Sequence, residues 1–252
     1  MKIGTGLLLS VLSALCMLTA GAAMAAEIRV LSAGAVEPGL RAAATAFKKQ
    51  SGHEVNITFN TAPEIRKRIG AGEAFDVVIA PPAALDEFAG AGKVTTDRAN
   101  LGRVGMGVAV RPGAPVPDIS SGDALKRSVL QAESIVFNRA SSGIYFENLL
   151  KKMEIYDQVQ ARTTRYADGA AVMEHVLKGK GREIGFGPVT EILQHKEKGL
   201  KLVGPLPAEV QNYTSYSAAP MKAAANAELA RSFVRYLDSA EAKSLLVAAG
   251  VD

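Results

Sequence analysis

Tryptophan is absent from the 252 residues, cysteine occurs once and histidine three times. A disulfide framework, a structural zinc site and cysteine catalysis all lack material. His53, His175 and His195 share no H-x-x-x-H spacing, and no G-x-S-x-G elbow is present. Neither a zinc-hydrolase site nor a Ser-His-Asp nucleophile is therefore expected. Charge of one sign is also scarce. Lys and Arg number 29 against 25 Asp and Glu, a net +4 without a basic stripe, which excludes a nucleic-acid footprint. The expectation is a protein with no catalytic residues, no metal and no cofactor.

Long apolar runs are missing too, with one exception. Leu7 to Leu18 follows Lys2 and gives way to small residues, ending in the A-x-A form Ala23-Met24-Ala25. The run is shorter than the roughly 20 apolar residues of a spanning helix. Residues 1–25 are read as a secretory signal peptide cleaved near Ala25. Cys16 and Lys2 would leave with it, and the expected product is a thiol-free protein of a bacterial periplasm.

What remains alternates strand and helix. Ile28 to Leu31 is a short apolar strand. Leu40, Ala44 and Phe47 mark one helix face, stopped by Ser51-Gly52. Val55, Ile57 and Phe59 alternate as a strand. Thr61-Ala62-Pro63 opens a helix, with Pro63 in its tolerant first turn. Phe75 to Ile79 reads as a strand buried on both faces, and Pro81-Pro82 starts another helix. This β-α-β-α-β-α order argues a parallel sheet covered by helices. Val104 to Val110 is a longer strand, and Ser120-x-x-Asp123 has the spacing of a capping box. A second set follows: a strand at Ser134 to Phe137, a helix from Ser141, a strand from Val159 to Thr164, a helix from Asp168-Gly169, and a strand at Ile184 to Gly187. Further strands are expected at Leu202-Val203 and Tyr213 to Ala218, and two helices finish the chain.

Four turns that end a strand and open a helix stand out: Ser32-Ala33-Gly34-Ala35, Asn60-Thr61-Ala62-Pro63, Arg139-Ala140-Ser141-Ser142-Gly143 and Tyr166-Ala167-Asp168-Gly169. All are small and bear hydroxyls or glycines. In open parallel sheets, ligands bind beyond the carboxyl ends of the strands. Helix N-termini there offer free N–H groups and about half a positive charge each, a match for an anion.

These stretches carry a resemblance. Arg29 to Ala35 with the helix to Lys49, Ile69 to Ile79, Ser142-Gly143-Ile144-Tyr145, Ile184-Gly185-Phe186 and the return from Leu206-Pro207 to Tyr216 resemble the periplasmic molybdate-binding proteins of ABC importers. The likeness covers the whole chain after the leader. It implies an α/β fold of the second periplasmic-binding-protein type, two Rossmann-like lobes joined by two crossover strands and closing on a ligand. The expected division is residues 26–108 with 214–252 as one lobe and 109–213 as the other. It also implies a monomer that captures a small anion and delivers it to a permease and ATPase in the inner membrane.

The chain departs from that family where hydroxyl donors are expected. Ala35 stands in the first turn, Ala62 and Pro63 follow Thr61 in the second, and Pro188 follows the Ile184-Gly185-Phe186 strand. Each missing donor to a buried oxyanion forfeits roughly 1.5–3 kcal/mol. A small organic acid is the better-matched ligand, with Arg139 as its bidentate partner beside the Ser142 turn. The ligand-binding set is therefore Ser32, Gly34, Ala35, Thr61, Ala62, Arg139, Ser141, Ser142, Gly143, Asp168, Gly169 and Pro188. Arg66 and Arg165 lie close to the same turns. Glu37, Glu64 and Asp168 also sit at helix starts; facing the cleft, they would oppose an anion and favour an amine-bearing or metal-linked ligand. Molybdate or tungstate binding, a sensory role at a membrane receptor, and secreted hydrolase activity remain the alternatives.

Overall fold

The computed structural model describes residues 26–252, so the expected signal peptide lies outside the described residues. The chain begins with strand β1 (Glu27–Ala33), a single 3-10 turn at Gly34–Val36, helix α1 (Glu37–Ser51) and strand β2 (Glu54–Asn60). Gly52 ends α1 in the left-handed region at φ 74°, a conformation glycine adopts without strain. Helix α2 (Ala62–Gly70), strand β3 (Val77–Ala80) and helix α3 (Pro82–Gly90) follow. Proline occupies the first turn of all three helices, where its missing N–H costs nothing. Strands β2, β1 and β3 pair in parallel, as the strand-helix alternation predicts.

Strand β4 (Ala99–Val110) leads away from this unit, and helix α4 (Gly122–Gln131) and strand β5 (Ser134–Asn138) begin the second. Helix α5 (Ser141–Lys152), the single turn α6 (Tyr156–Val159), strand β6 (Thr163–Tyr166), helix α7 (Gly169–Lys178), strand β7 (Glu183–Pro188) and helix α8 (Val189–Gln194) complete its frame. Strand β8 (Lys201–Pro205) and strand β9 (Tyr213–Pro220) bring the chain back, and helices α9 (Ala227–Leu237) and α10 (Ala240–Ala248) cap the first unit. Strands β6, β5 and β7 pair in parallel. Among the described residues the strands form one curled sheet in the order β2-β1-β3-β9-β4-β7-β5-β6, with β8 added beside β4.

Strand β4 belongs to both halves. Ala99 to Gly105 pairs with β9, and Met106 to Val110 pairs with β7 and β8. The apolar cores divide at the same place. The first half has one, built from residues such as Val30, Leu40, Ile79 and Phe233; the second has two, one around Phe137, Phe146 and Phe186 and one around Val172, Met173 and Ile192. Phe146 stacks on Phe186 at 3.8 Å and meets Phe137 edge-on at 5.3 Å, an aromatic triad that fixes α5 over β5 and β7.

Three expectations need correction. Strand β4 starts at Ala99 rather than Val104, because pairing with β9 outweighs the weak strand preference of Ala99, Asn100 and Gly102. The cap of α4 is Ser121, whose Oγ accepts the Ala124 N–H at 3.1 Å, not Ser120. Val159 to Arg162 is helical and 3-10, since Val159 is a fully buried core residue on α6; β6 begins only at Thr163.

Candidate functional site

The four strand-end turns open on one cavity of about 720 Å3 between the two halves of the sheet. Gly34, Ala35, Thr61 and Ala62 reach it from one side. Ser141, Ser142, Asp168, Gly169 and Pro188 reach it from the other. The turns meet because parallel strands place all their C-terminal ends on one edge of the sheet.

Three residues of the expected set do not line it. Ser32 is fully buried within β1 and donates its hydroxyl to the Ala33 carbonyl at 3.1 Å. Gly143 lies beneath the first turn of α5; a Cβ there would stand 1.8 Å from the Asn138 carbonyl oxygen, so its role is close packing. Arg139 is exposed and outside the lining, its backbone N–H held by the Tyr166 carbonyl at 2.8 Å. Arg66 and Arg165 are engaged elsewhere. Arg66 donates to Glu87 at 2.7 Å, and Arg165 pairs with Glu147 and lies over the Phe137 ring. The cation that does line the cavity is Arg68, bound through Nε to Glu73 at 2.6 Å.

Donors in the cavity are mainly backbone. Neither α2 nor α5 donates a backbone N–H to the side chain of its own cap residue, Thr61 or Ala140. Asn138, at the end of β5, partly compensates in α5. Its buried Oδ1 accepts from Ala140 N at 3.0 Å and Gly143 N at 3.1 Å, and its amide donates to Ser142 Oγ at 3.2 Å. Ser142 is thereby fixed at the head of the helix, whose N-terminal partial charge faces the cavity.

A family profile described as bacterial extracellular solute-binding protein matches residues 28–252. The chain belongs to that family. Among its relatives, an aconitate isomerase from a Pseudomonas species is 30% identical over 230 residues, covering 89% of this chain and 87% of that protein. The molybdate-binding protein ModA of Haemophilus influenzae is 25% identical over 236 residues, covering 90% of this chain and 91% of the relative. Of solved structures, the periplasmic molybdate-binding protein of Azotobacter vinelandii superposes with a TM-score of 0.76 at 18% identity, over 89% of this chain and 98% of that one. The fold is thus the two-lobed periplasmic-binding-protein type II fold.

Within this solute-binding protein the acidic side of the cavity decides what can enter. Glu37, Glu64, Asp168 and Glu191 all line it. Glu37 pairs with Arg41 at 2.8 Å, and Glu64 faces Lys67 at 3.6 Å. Asp168 caps α7, accepting the Ala171 N–H at 2.9 Å. Glu191 has no such partner. Its Oε2 is covered and accepts no hydrogen bond. Burial, helped by the charges of Asp168 and Glu37, pushes its carboxyl up to about 8. Its protonated form is therefore favoured at neutral pH, and of the other three acids Glu37 and Glu64 face cations while Asp168 is held by the head of α7. Among the described residues, no group of three or more His, Cys, Asp and Glu is placed to hold a metal ion.

Glu191, Asn138, Arg68 and Tyr216 were not singled out by sequence reasoning, and His195 was weighed there only as a base or metal ligand and set aside. Asn138 carried a signal, a polar residue ending an apolar strand three positions before a helix. His195 is buried at the end of α8, its Nδ1 3.0 Å from the Glu191 carbonyl oxygen. Tyr216 on β9 is buried, which raises its phenol above the ordinary value, with the Glu191 charge adding to the effect. His53 and His175 are structural: His53 Nδ1 accepts the Ala26 N–H at 3.1 Å, and His175 Nδ1 lies 2.9 Å from the Tyr166 hydroxyl.

Proposed function

We propose that the protein captures a small organic acid bearing two or three carboxylates, by closure of its lobes, in the bacterial periplasm. It then delivers the acid as a monomer to an ABC-type permease and ATPase. The lobes of this reading are residues 26–108 with 214–252, and 109–213. One observation carries the choice of ligand: the heads of α2 and α5, neither closed by the side chain of its own cap residue, face a cavity whose acids are paired, capping or held protonated by burial. A cavity of about 720 Å3 suits an organic ligand, for which pockets of roughly 300–1,000 Å3 are usual. Ala35, Ala62 and Pro188 stand at the positions where the molybdate-binding resemblance leads one to expect hydroxyl donors. The Pseudomonas relative is named for aconitate, a tricarboxylate. The Haemophilus relative favours a second reading, molybdate or tungstate.

A melting screen separates the two. Citrate, tricarballylate, malate and both aconitates form one arm; molybdate, tungstate and sulfate form the other. A ligand at 100 times its Kd adds about 2.7 kcal/mol, which at roughly 2–4 °C per kcal/mol raises Tm by several degrees. A polycarboxylate is expected to give this shift and the oxyanions none. A shift with molybdate or tungstate alone would establish the second reading. A flat response in both arms from folded protein would refute anion capture.

A further inference from the structure

The Glu191 carboxyl lines the cleft between the lobes, in space that Gly169 leaves and close to Gly34. A Cβ on Gly169 would lie 1.5 Å from its Oε2, and one on Gly34 would lie 3.5 Å from its Oε1. Oε2 is the only buried acidic oxygen without a partner among the described residues. The other acids of the cavity are engaged with Arg41, Lys67 or the head of α7. Glu191 thus lines the cavity with an oxygen that no hydrogen bond engages, which leaves the carboxyl available to exchange a proton with what the cavity holds.

We propose that Glu191 is a catalytic proton carrier that shifts the double bond of a bound unsaturated polycarboxylate. The proposal rests on the organic-acid reading of the same cavity. In the reaction the Glu191 carboxylate takes a proton from a methylene carbon that lies between a carboxylate and a carbon–carbon double bond. The electron pair left behind spreads through the double bond into the neighbouring carboxylates as a dienolate. Glu191 then returns the proton to the far vinylic carbon. One C–H bond breaks, one forms, and the double bond moves by one position, so no oxidant, reductant or water is consumed. On an aconitate skeleton the two outer carbons exchange roles, and the cis or trans outcome follows the conformer held when the proton leaves. The negative charge that develops is met by the N-termini of α2 and α5, which reach the cavity at Thr61, Ala62, Ser141 and Ser142.

The pH response of such a step reflects every charged group around Glu191. These are Asp168 before α7, Glu37 on α1, Glu64 and Arg68 on α2, Tyr216 on β9 and His195 at the end of α8. The basic form of Glu191 is the reactive one, so the rate is expected to rise with pH through about 8.

The experiment incubates the full chain with cis-aconitate in D2O and follows the proton spectrum, alongside the melting shift of the same sample. Expected are loss of the methylene and vinylic proton signals and appearance of the trans isomer. Glu191→Gln is expected to slow exchange by roughly 10²–10⁴-fold while keeping the melting shift. Glu191→Asp, which keeps an ionisable carboxyl one methylene further back, is expected to retain part of the rate and its rise with pH. A wild-type melting shift without deuterium uptake would overturn proton transfer and leave anion capture standing. Exchange undiminished in Glu191→Gln would take the role from Glu191. Neither shift nor exchange would overturn both readings.

Discussion

A carboxyl enclosed as Glu191 is holds its proton more tightly in the folded chain than in the unfolded one. Between the ordinary value of 4.5 and its folded value of about 8, unfolding releases that proton. Stability from this group is therefore fully present below about pH 4.5, falls as pH rises toward 8, and is flat beyond. Its size, for a half-buried group, is on the order of 2–4 kcal/mol. Glu191→Gln is expected to melt several degrees higher than wild type at pH 9, with the gap closing toward pH 5; equal pH profiles in differential scanning calorimetry would refute this. At this scale legibility depended on locality. The positions of Ser142, Asp168 and Gly169 follow from a strand end meeting a helix start a few residues away. Glu191 did not show, because a single Glu within Val189–Gln194 looks like a solvated face until Gly169 and Gly34 are brought against it from distant parts of the chain. Arg139 failed for the opposite reason: its neighbourhood was right, but the side-chain direction depends on backbone angles that residue types leave open.

Elements were read better than their ends. The parallel sets β2-β1-β3 and β6-β5-β7 follow from runs of apolar residues separated by helical periodicity. The start of β4 was hidden because its partner, β9, lies more than a hundred residues away, and pairing is interrupted between Asn100 and Gly102, where Gly102 takes φ 120°. The α5 terminus shows how one side chain organises an element. Asn138 is buried and serves two backbone N–H groups and Ser142. Asn138→Ala leaves them unserved and is expected to cost about 1–3 kcal/mol in urea unfolding. It should also weaken ligand binding about tenfold by releasing the helix head. Stability lost with affinity retained would separate the helix terminus from the site.

For the molecule as a whole, one buried polar contact ties the second half of the sheet to the first. Thr190 at the start of α8 donates its hydroxyl to the Ala35 carbonyl at 2.6 Å, a buried bond from one lobe to the turn of the other. If closure accompanies binding, a change here alters the fraction of molecules in the competent arrangement and the apparent affinity with it. Thr190→Val, close in shape, is expected to weaken binding about three- to tenfold by titration calorimetry, for a bond worth about 0.5–1.5 kcal/mol. An unchanged Kd would mean the bond plays no part in closure.

Where β4 changes partners, Gln211 acts as a stand-in peptide. Its Oε1 accepts the Met106 N–H at 2.9 Å and its Nε2 donates to the Met106 carbonyl at 3.0 Å. A peptide unit in a ladder is locked to its neighbours, whereas an amide on a flexible stem pivots and stays engaged as the strands beside it splay. If the halves rock as the proposed capture requires, this amide can follow the strands beside it and keep Met106 from losing its partners in a dry interior.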